Sequence, residues 1–237
     1  MMGLMRIVVF GLSVILMAAP ALAQQARKVV VRSLCFEHVD GLKSVHFLRK
    51  DAGELEIPLW LGEPSDDIIL ELPSSQLSFH VPASGNEEQP QLAALGKLGS
   101  GQRHLLFFVP SGKETPKYRA LSFPDDERSF PMGAVRLLNL AKVPAVFQLG
   151  ERITKVPVGG SAIVPMPRKV NRYNDYNFEI KLEMPGGLYP VRQTRGRAVK
   201  TKRNMAVVYI DPRSQRAKVN LYTDIPPWTL PKMEPEE

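Results

Sequence analysis

Two stretches of the chain decide its fold, Phe178-Glu179-Ile180-Lys181-Leu182 and Ala206-Val207-Val208-Tyr209-Ile210. In the first, apolar residues occupy every second position and so share one face of an extended strand. The second is apolar throughout and predicts a central strand that is buried on both faces. Short runs of both kinds recur at intervals of about ten residues between residues 28 and 222, as in all-β proteins. The 21 prolines and 17 glycines can end such short strands, so we predict an all-β fold.

One stretch departs from this pattern. Leu92, Ala93, Leu95 and Leu98 have a helix-like spacing, and several glycines surround them. We expect residues 89–98 to form a loop with at most one or two turns of helix.

The chain contains an internal repeat. Residues 103–123 and 204–224 each hold an apolar strand, a polar turn and a second strand, and residues 31–36 resemble residues 135–140 at a similar offset. We predict two tandem immunoglobulin-like β-sandwich modules of about seven strands each. They would span residues 26–124 and 132–225, with the acidic segment 123–131 between them. The alternative is a single continuous sandwich formed by both halves.

The two ends of the chain differ from this body. Residues 1–23 have the pattern of a cleavable signal peptide, because Arg6 precedes a short apolar run that ends in Ala21-Leu22-Ala23. We predict cleavage after Ala23 and an exported protein, either periplasmic or extracellular. The alternative, an uncleaved anchor, is disfavoured because a membrane-spanning helix needs about 20 apolar residues. The Pro-rich tail, residues 226–237, is predicted to be extended or disordered.

Charge distribution limits the possible partners, and cysteine content limits the possible disulfides. The net charge is +7, yet residues 168–218 alone hold 13 basic and 4 acidic side chains. Such asymmetry can attract an anionic partner, although it also suits a plain soluble surface. Cys35 is the only cysteine, so an intrachain disulfide is impossible, and its apolar neighbours predict a buried thiol.

The most distinctive segment is a basic one, which holds six Lys or Arg in twelve positions and no acidic residue. Arginines at alternate positions of a strand share one face and can bind carboxylate or phosphate groups. We therefore propose these residues as candidates for anion binding: Arg192, Arg195, Arg197, Lys200, Lys202 and Arg203. The alternative is a solvated hairpin whose charges protect a sheet edge. Aromatic residues are not interleaved with the basic ones, so we expect no nucleic-acid partner.

Catalytic and metal motifs are weak. The four histidines, His38, His46, His80 and His104, lack the spacing of a metal pair, and we predict no metal or cofactor. Acidic pairs such as Asp66-Asp67 and Asp125-Asp126 are expected in solvated loops. The segment Gly159-Gly160-Ser161 predicts a tight hairpin turn rather than a phosphate loop.

The segment Gly133-Ala134-Val135-Arg136-Leu137-Leu138-Asn139-Leu140, followed by Pro144-Ala145-Val146 and Pro157-Val158-Gly159-Gly160, resembles exported bacterial β-sandwich modules of unknown function. The first half departs from this pattern, because it has Cys35 in the position of Asn139 and lacks the Gly-rich turn. The resemblance implies an envelope-associated β module and indicates no activity.

Three functions are compatible with these features. The first is a non-enzymatic exported binding or adaptor protein, whose partner is an anionic envelope component or another envelope protein. Trp228 is then a candidate partner contact, or docks on the body of the protein. The second is an accessory carbohydrate-binding module, which needs a strip of exposed aromatics such as Tyr173, Tyr176 and Phe178. The third is a hydrolase with a site assembled from distant loops.

Overall fold

The structure, a computed structural model, describes residues 27–49, 53–81 and 90–230. It confirms the all-β prediction, with sixteen strands and one short 3-10 helix in this part of the chain. No helix among the described residues is long and apolar enough to cross a membrane. The predicted signal peptide and the last seven residues of the tail lie outside the described residues.

The first half forms one curled eight-stranded sheet that is nearly barrel-shaped. Its strands lie in the order β3-β2-β5-β6-β8-β7-β1-β4. They are β1 (Arg27–Cys35), β2 (Ser44–Arg49), β3 (Gly53–Pro58), β4 (Ile68–Leu72), β5 (Gln76–His80), β6 (Leu92–Lys97), β7 (Arg103–Pro110) and β8 (Tyr118–Pro124).

The second half forms two four-stranded sheets, ordered β11-β10-β13-β14 and β12-β9-β15-β16. This order repeats that of the first half strand for strand. The strands are β9 (Val135–Asn139), β10 (Ala145–Leu149), β11 (Arg152–Val156), β12 (Ser161–Val164), β13 (Asp175–Met184), β14 (Gly187–Arg197), β15 (Arg203–Ile210) and β16 (Ala217–Asp224); the 3-10 helix Pro227–Thr229 follows.

One strand pair distinguishes the two halves. In the first half, β6 pairs in parallel with β8, and this pairing joins the two groups of four strands. Gly96 permits the approach, because a Cβ at this position would lie 2.7 Å from the carbonyl oxygen of Ala120. The corresponding strands of the second half, β14 and β16, are not paired with each other.

The prediction of a loop with at most one or two turns of helix over residues 89–98 is wrong for residues 92–97, which form strand β6. Ala93 and Ala94 are fully buried in the core of the first half. The pairing of β6 with β5 and β8 satisfies its backbone groups, and this tertiary pairing overrides the local spacing of apolar residues.

Three hydrophobic cores hold the strands together. One lies inside the first half and another inside the second half. The third lies between the halves, where Leu34 and Phe107 of the first half pack with Leu138 and Val207 of the second. Rings also meet there, since Phe36 and Tyr209 have centroids 4.6 Å apart.

The central strand β15 shows how this packing arises from sequence. Ala206 and Val208 point into the core of the second half, whereas Met205 and Val207 point into the core between the halves. Strand β7 alternates in the same way. Leu106 faces the core of the first half, and Phe107 faces the core between the halves. The prediction that β15 is buried on both faces is therefore confirmed.

Asn139 fixes the Gly-rich turn of the second half. It is fully buried, and its side-chain amide donates hydrogen bonds to the carbonyl oxygens of Val143, Val156 and Pro157 at 2.9–3.2 Å. Its Oδ1 accepts a hydrogen bond from the Ala141 N–H. Gly159 has a φ of +68° in the turn that follows. The turn is present as predicted, but it is not a hairpin, because it joins β11 and β12 in different sheets.

Cys35 occupies the corresponding position of the first half. It is fully buried, as predicted, and its thiol donates a hydrogen bond to the carbonyl oxygen of Glu37 at 3.1 Å. Burial raises the pKa of this thiol to about 12. The thiol is therefore protonated at neutral pH and contributes to packing.

Replacing Asn139 with alanine should lower the free energy of unfolding by about 2–4 kcal/mol, because several buried backbone groups lose their partner. Chemical denaturation measures the change. Asn177→Ala, at an exposed position of β13, is the control and should change the free energy by less than about 0.5 kcal/mol. Equal effects of the two substitutions would contradict this role of Asn139.

Candidate functional site

Four buried ionic side chains join the two halves. Arg32 of β1 donates from Nε to Oδ2 of Asp125 at 2.8 Å and from Nη1 to Oδ1 of Asp224 at 2.7 Å. Arg203 of β15 donates from Nη2 to Oδ1 of Asp125 at 2.6 Å and from Nε to Oδ2 of Asp224 at 2.9 Å. Asp125 directly follows β8 of the first half and Asp224 ends β16 of the second, so each arginine binds one carboxylate on either side of the contact between the halves. We call Arg32, Asp125, Arg203 and Asp224 the ion cluster.

The ion cluster corrects two predictions. Arg203 is fully buried, so it is not part of an anion-binding surface. Asp125 has an exposed fraction of only 1%, so the acidic segment 123–131 is not simply a solvated loop. Phe130 of the same segment is also buried, and its carbonyl oxygen accepts a hydrogen bond from Arg203 Nη1 at 3.0 Å.

Aromatic rings cover the arginines of the ion cluster. The Arg203 guanidinium lies 4.4 Å from the ring centroid of Phe130 and 5.3 Å from that of Trp228. Trp228 also lies over Arg103, at 4.1 Å, and Arg103 pairs with Asp67. Trp228 thus docks on the body of the protein, although it remains 39% exposed. The tail begins with a helical turn at residues 227–229 instead of extended chain.

A fifth charge lies beside the ion cluster. Arg136 is buried and donates from Nη2 to the carbonyl oxygen of Pro124 at 2.9 Å, while its Nε has no hydrogen-bond partner among the described residues. Burial lowers the pKa of Arg136 to about 10, and the nearby Arg203 adds to this effect. The pKa of Arg32 is raised instead: its burial would lower it, but hydrogen bonds to Asp224 and Asp125 outweigh that effect.

Replacing Arg203 with leucine should destabilise the protein by about 3–5 kcal/mol, because it leaves two buried carboxylates with a single arginine between them. Chemical denaturation measures this loss. Arg216→Leu, at an exposed turn position, is the matched control and should change the free energy of unfolding by less than about 0.5 kcal/mol. A loss below about 1 kcal/mol for Arg203→Leu would show that the cluster is not a structural link.

The remaining residues of the predicted basic segment are distributed over three places. Arg195 and Arg197 lie opposite Asn177 and Asp175 and share the outer face of β14, as predicted. Arg192 lies opposite the buried Ile180 and therefore on the other face. Arg197 pairs with Asp175 at 3.2 Å. Lys200 and Lys202 follow β14 in the connection to β15.

The hydrogen-bond pattern shows which backbone groups of β14 are free of β13. Asn177 of β13 accepts a hydrogen bond from the Gly150 N–H, at the end of β10, so its carbonyl points away from β14. Directly opposed residues of antiparallel strands alternate between bonded and non-bonded pairs. Arg195, opposite Asn177, and Gln193, opposite Glu179, therefore direct their N–H and C=O groups outward.

The same argument applies to β16. In its neighbour β15, the Asn204 N–H donates to Ala134 and the Val208 C=O accepts from Leu140, so both residues bond toward β9. The β16 residues opposite even-numbered β15 positions consequently direct their backbone groups away from β15. They are Ala217, Val219, Leu221 and Thr223. Each of the two strands thus presents an unpaired edge within the described structure.

Cavities follow the gap between these two edges, which we call the β14–β16 seam. A cavity of about 220 Å³ is lined by Arg195, Lys202, Phe178, Ala206 and Leu221, among others. Another, of about 340 Å³, lies between Arg192 and β16. A third, of about 500 Å³, also has Arg192 and β16 in its wall, and residues 36–38 of the first half form the opposite side.

Other predicted residues lie elsewhere. Lys200 borders a separate cavity of about 540 Å³ with Arg168 and Arg197. Tyr173 is exposed, Tyr176 is partly buried and Phe178 is buried in the core of the second half, so these rings do not form the strip that carbohydrate binding requires. No group of His, Cys, Asp or Glu among the described residues has the geometry of a metal site.

The buried His104 and the partly buried Ser122 form a polar pair. Ser122 Oγ lies 3.1 Å from His104 Nδ1, and His104 Nε2 lies 3.1 Å from the carbonyl oxygen of Gly101. Because Nε2 donates to a carbonyl, Nδ1 accepts from the serine hydroxyl. Burial lowers the pKa of His104, only partly offset by the Gly101 hydrogen bond, so the ring is neutral at pH 7. With an exposed fraction of 1%, the ring is closed to substrates in this conformation.

The free energy of unfolding should fall as the pH drops below about 6.5, because the unfolded chain then binds a proton on His104 that the folded chain does not. Denaturation series between about pH 7 and pH 5 measure this slope. In His104→Gln the slope should be smaller, with a remainder from His80, whose pKa burial also lowers. Identical slopes for the two proteins would contradict the assignment.

The basic face of β14 and the seam beside it combine unpaired backbone groups, exposed arginine side chains and cavities. They can bind carboxylates through arginine and an extended chain through backbone hydrogen bonds. No protein-family model matches the chain, and no curated protein is significantly similar to it.

Proposed function

We propose that the protein is an exported, non-enzymatic, envelope-associated binding or adaptor protein that recognises an anionic partner through strand β14. The observation that carries this proposal is the coincidence of a free sheet edge with exposed arginines, Arg192 and Arg195, along it. Arginine is suited to this role because its planar fork can bind both oxygens of a carboxylate or phosphate.

Export is supported by the sequence of residues 1–23, with cleavage after Ala23 and a periplasmic or extracellular mature protein. In that compartment the anionic partner is an envelope component or an acidic envelope protein. We further propose that each half is an immunoglobulin-like module, and the repeated strand order supports this assignment.

Ion pairs already occupy several basic side chains of the second half. Arg203 is neutralised within the ion cluster, Lys218 pairs with Asp211, and Arg197 pairs with Asp175. Arg192 and Arg195 are exposed on opposite faces of β14, and Lys202 lines the same cavity as Arg195. These three charges are therefore available for a partner, and salt should weaken their attraction.

The triple variant Arg192→Ala, Arg195→Ala, Lys202→Ala should bind an anionic envelope fraction roughly tenfold more weakly, if each lost contact contributes about 0.5 kcal/mol. Co-sedimentation with that fraction at increasing salt measures the change. Binding of the wild-type protein should fall with salt, and the variant should show a shallower dependence.

The matched control removes three exposed basic side chains at other positions, Lys97→Ala, Arg119→Ala and Arg152→Ala. It has the same net charge as the first variant and should retain wild-type binding. Equal weakening in both variants would indicate an effect of net charge alone, and unchanged binding in the first variant would exclude β14 as the recognition surface.

A further inference from the structure

We infer that the β14–β16 seam accepts an extended acidic segment of a partner polypeptide, which adds to the free edge of β14 as a further strand. This inference rests on the proposed function and specifies its partner. The first half provides the internal comparison: there β6 pairs with β8, whereas the equivalent strands of the second half leave both edges unpaired within the described structure.

The backbone supplies the first requirement for strand addition. Gln193 and Arg195 direct their N–H and C=O groups away from β13, as their positions opposite Glu179 and Asn177 require. An incoming strand can form ladder hydrogen bonds with these groups, which give affinity without dependence on sequence. Across the seam, Leu221 and Thr223 present a second set of outward backbone groups.

The side chains supply specificity. Residues of an added strand alternate between two faces, like those of β14 itself. On the inner face they would meet the cavity that is lined by Phe178, Ala206 and Leu221, and Leu221 is 49% exposed there. On the outer face they would lie beside Arg195. The segment that fits this edge alternates apolar and acidic residues.

The width of the seam sets a further condition. Some Cα atoms of β14 and β16 lie within 8 Å of each other. A strand that paired with both edges would need them about 9.6 Å apart, twice the usual spacing between strands. Binding of a strand along the whole seam therefore requires the distance between β14 and β16 to increase. We place the ladder of hydrogen bonds on β14, because its edge also carries the arginines.

The experiment uses a synthetic peptide of about eight residues that alternates valine and glutamate, a length typical of a strand. The comparison peptide alternates proline and glutamate, so it has the same charge but cannot form a regular ladder. Fluorescence anisotropy with the mature protein should show at least roughly tenfold tighter binding of the valine peptide, a difference of about 1.4 kcal/mol.

Two variants at one position separate the contribution of the backbone to binding from that of the side chain. Gln193→Pro removes an outward N–H and should weaken binding of the valine peptide at least roughly tenfold, whereas Gln193→Ala should stay within about twofold of wild type. In the unaltered protein, amide hydrogen exchange of Gln193 and Arg195 should slow on binding. The exchange measurement tests strand addition even if Gln193→Pro does not fold.

The outcomes distinguish the two proposals. Equal affinity for both peptides, lost when Arg195 is replaced by alanine, overturns strand addition but retains an anionic partner. Binding of a sulfated polysaccharide with unchanged exchange at Gln193 and Arg195 overturns strand addition in the same way. Failure to bind any of these probes, together with unchanged binding of the triple variant to the envelope fraction, overturns both.

Discussion

The buried layer between the two halves is the constraint on which the structure depends. Strands β1, β7 and β15 each bury apolar residues on both faces, so neither half can present these strands to water without exposing a hydrophobic surface. The ion cluster lies in the same contact and adds directional bonds to this non-directional packing. Because each arginine binds one carboxylate on either side of this contact, the cluster favours one relative orientation of the halves.

The relative orientation of the two halves determines the shape of part of the candidate site. The cavity next to Arg192 is lined on one side by residues 36–38 of the first half and on the other by β16 of the second. Phe36 also contacts Tyr209 across the same layer. A change in the angle between the halves would therefore alter the cavity as well as the core. Structure and proposed recognition are linked through the same contact.

Much of the fold could be predicted from sequence, because alternation and apolar runs report directly on strand faces. The repeated strand order was also foreshadowed by the resemblance of residues 31–36 to residues 135–140. Strand β6 was missed because four apolar residues happened to have helical spacing, and only its neighbours β5 and β8 show that it is extended. The spacing of apolar residues within one segment carries no information about such long-range pairing.

Only part of the candidate site could be predicted from the sequence, again because long-range contacts are not visible in a local pattern. Arg195 and Arg197 share a face because alternation along one strand is local information. Arg203 was grouped with them, although its partners Asp125 and Asp224 lie 78 and 21 residues away in sequence. A signal was present, since Arg32 stands inside an apolar strand and must find a buried partner, yet sequence alone did not identify that partner.

The most direct test of the central claim, that the two halves form one body, is differential scanning calorimetry of the purified protein. We predict a single transition in which the calorimetric and van't Hoff enthalpies agree, as expected for one cooperative unit. Two separate transitions, or a calorimetric enthalpy about twice the van't Hoff value, would show that the halves unfold independently and would contradict the account.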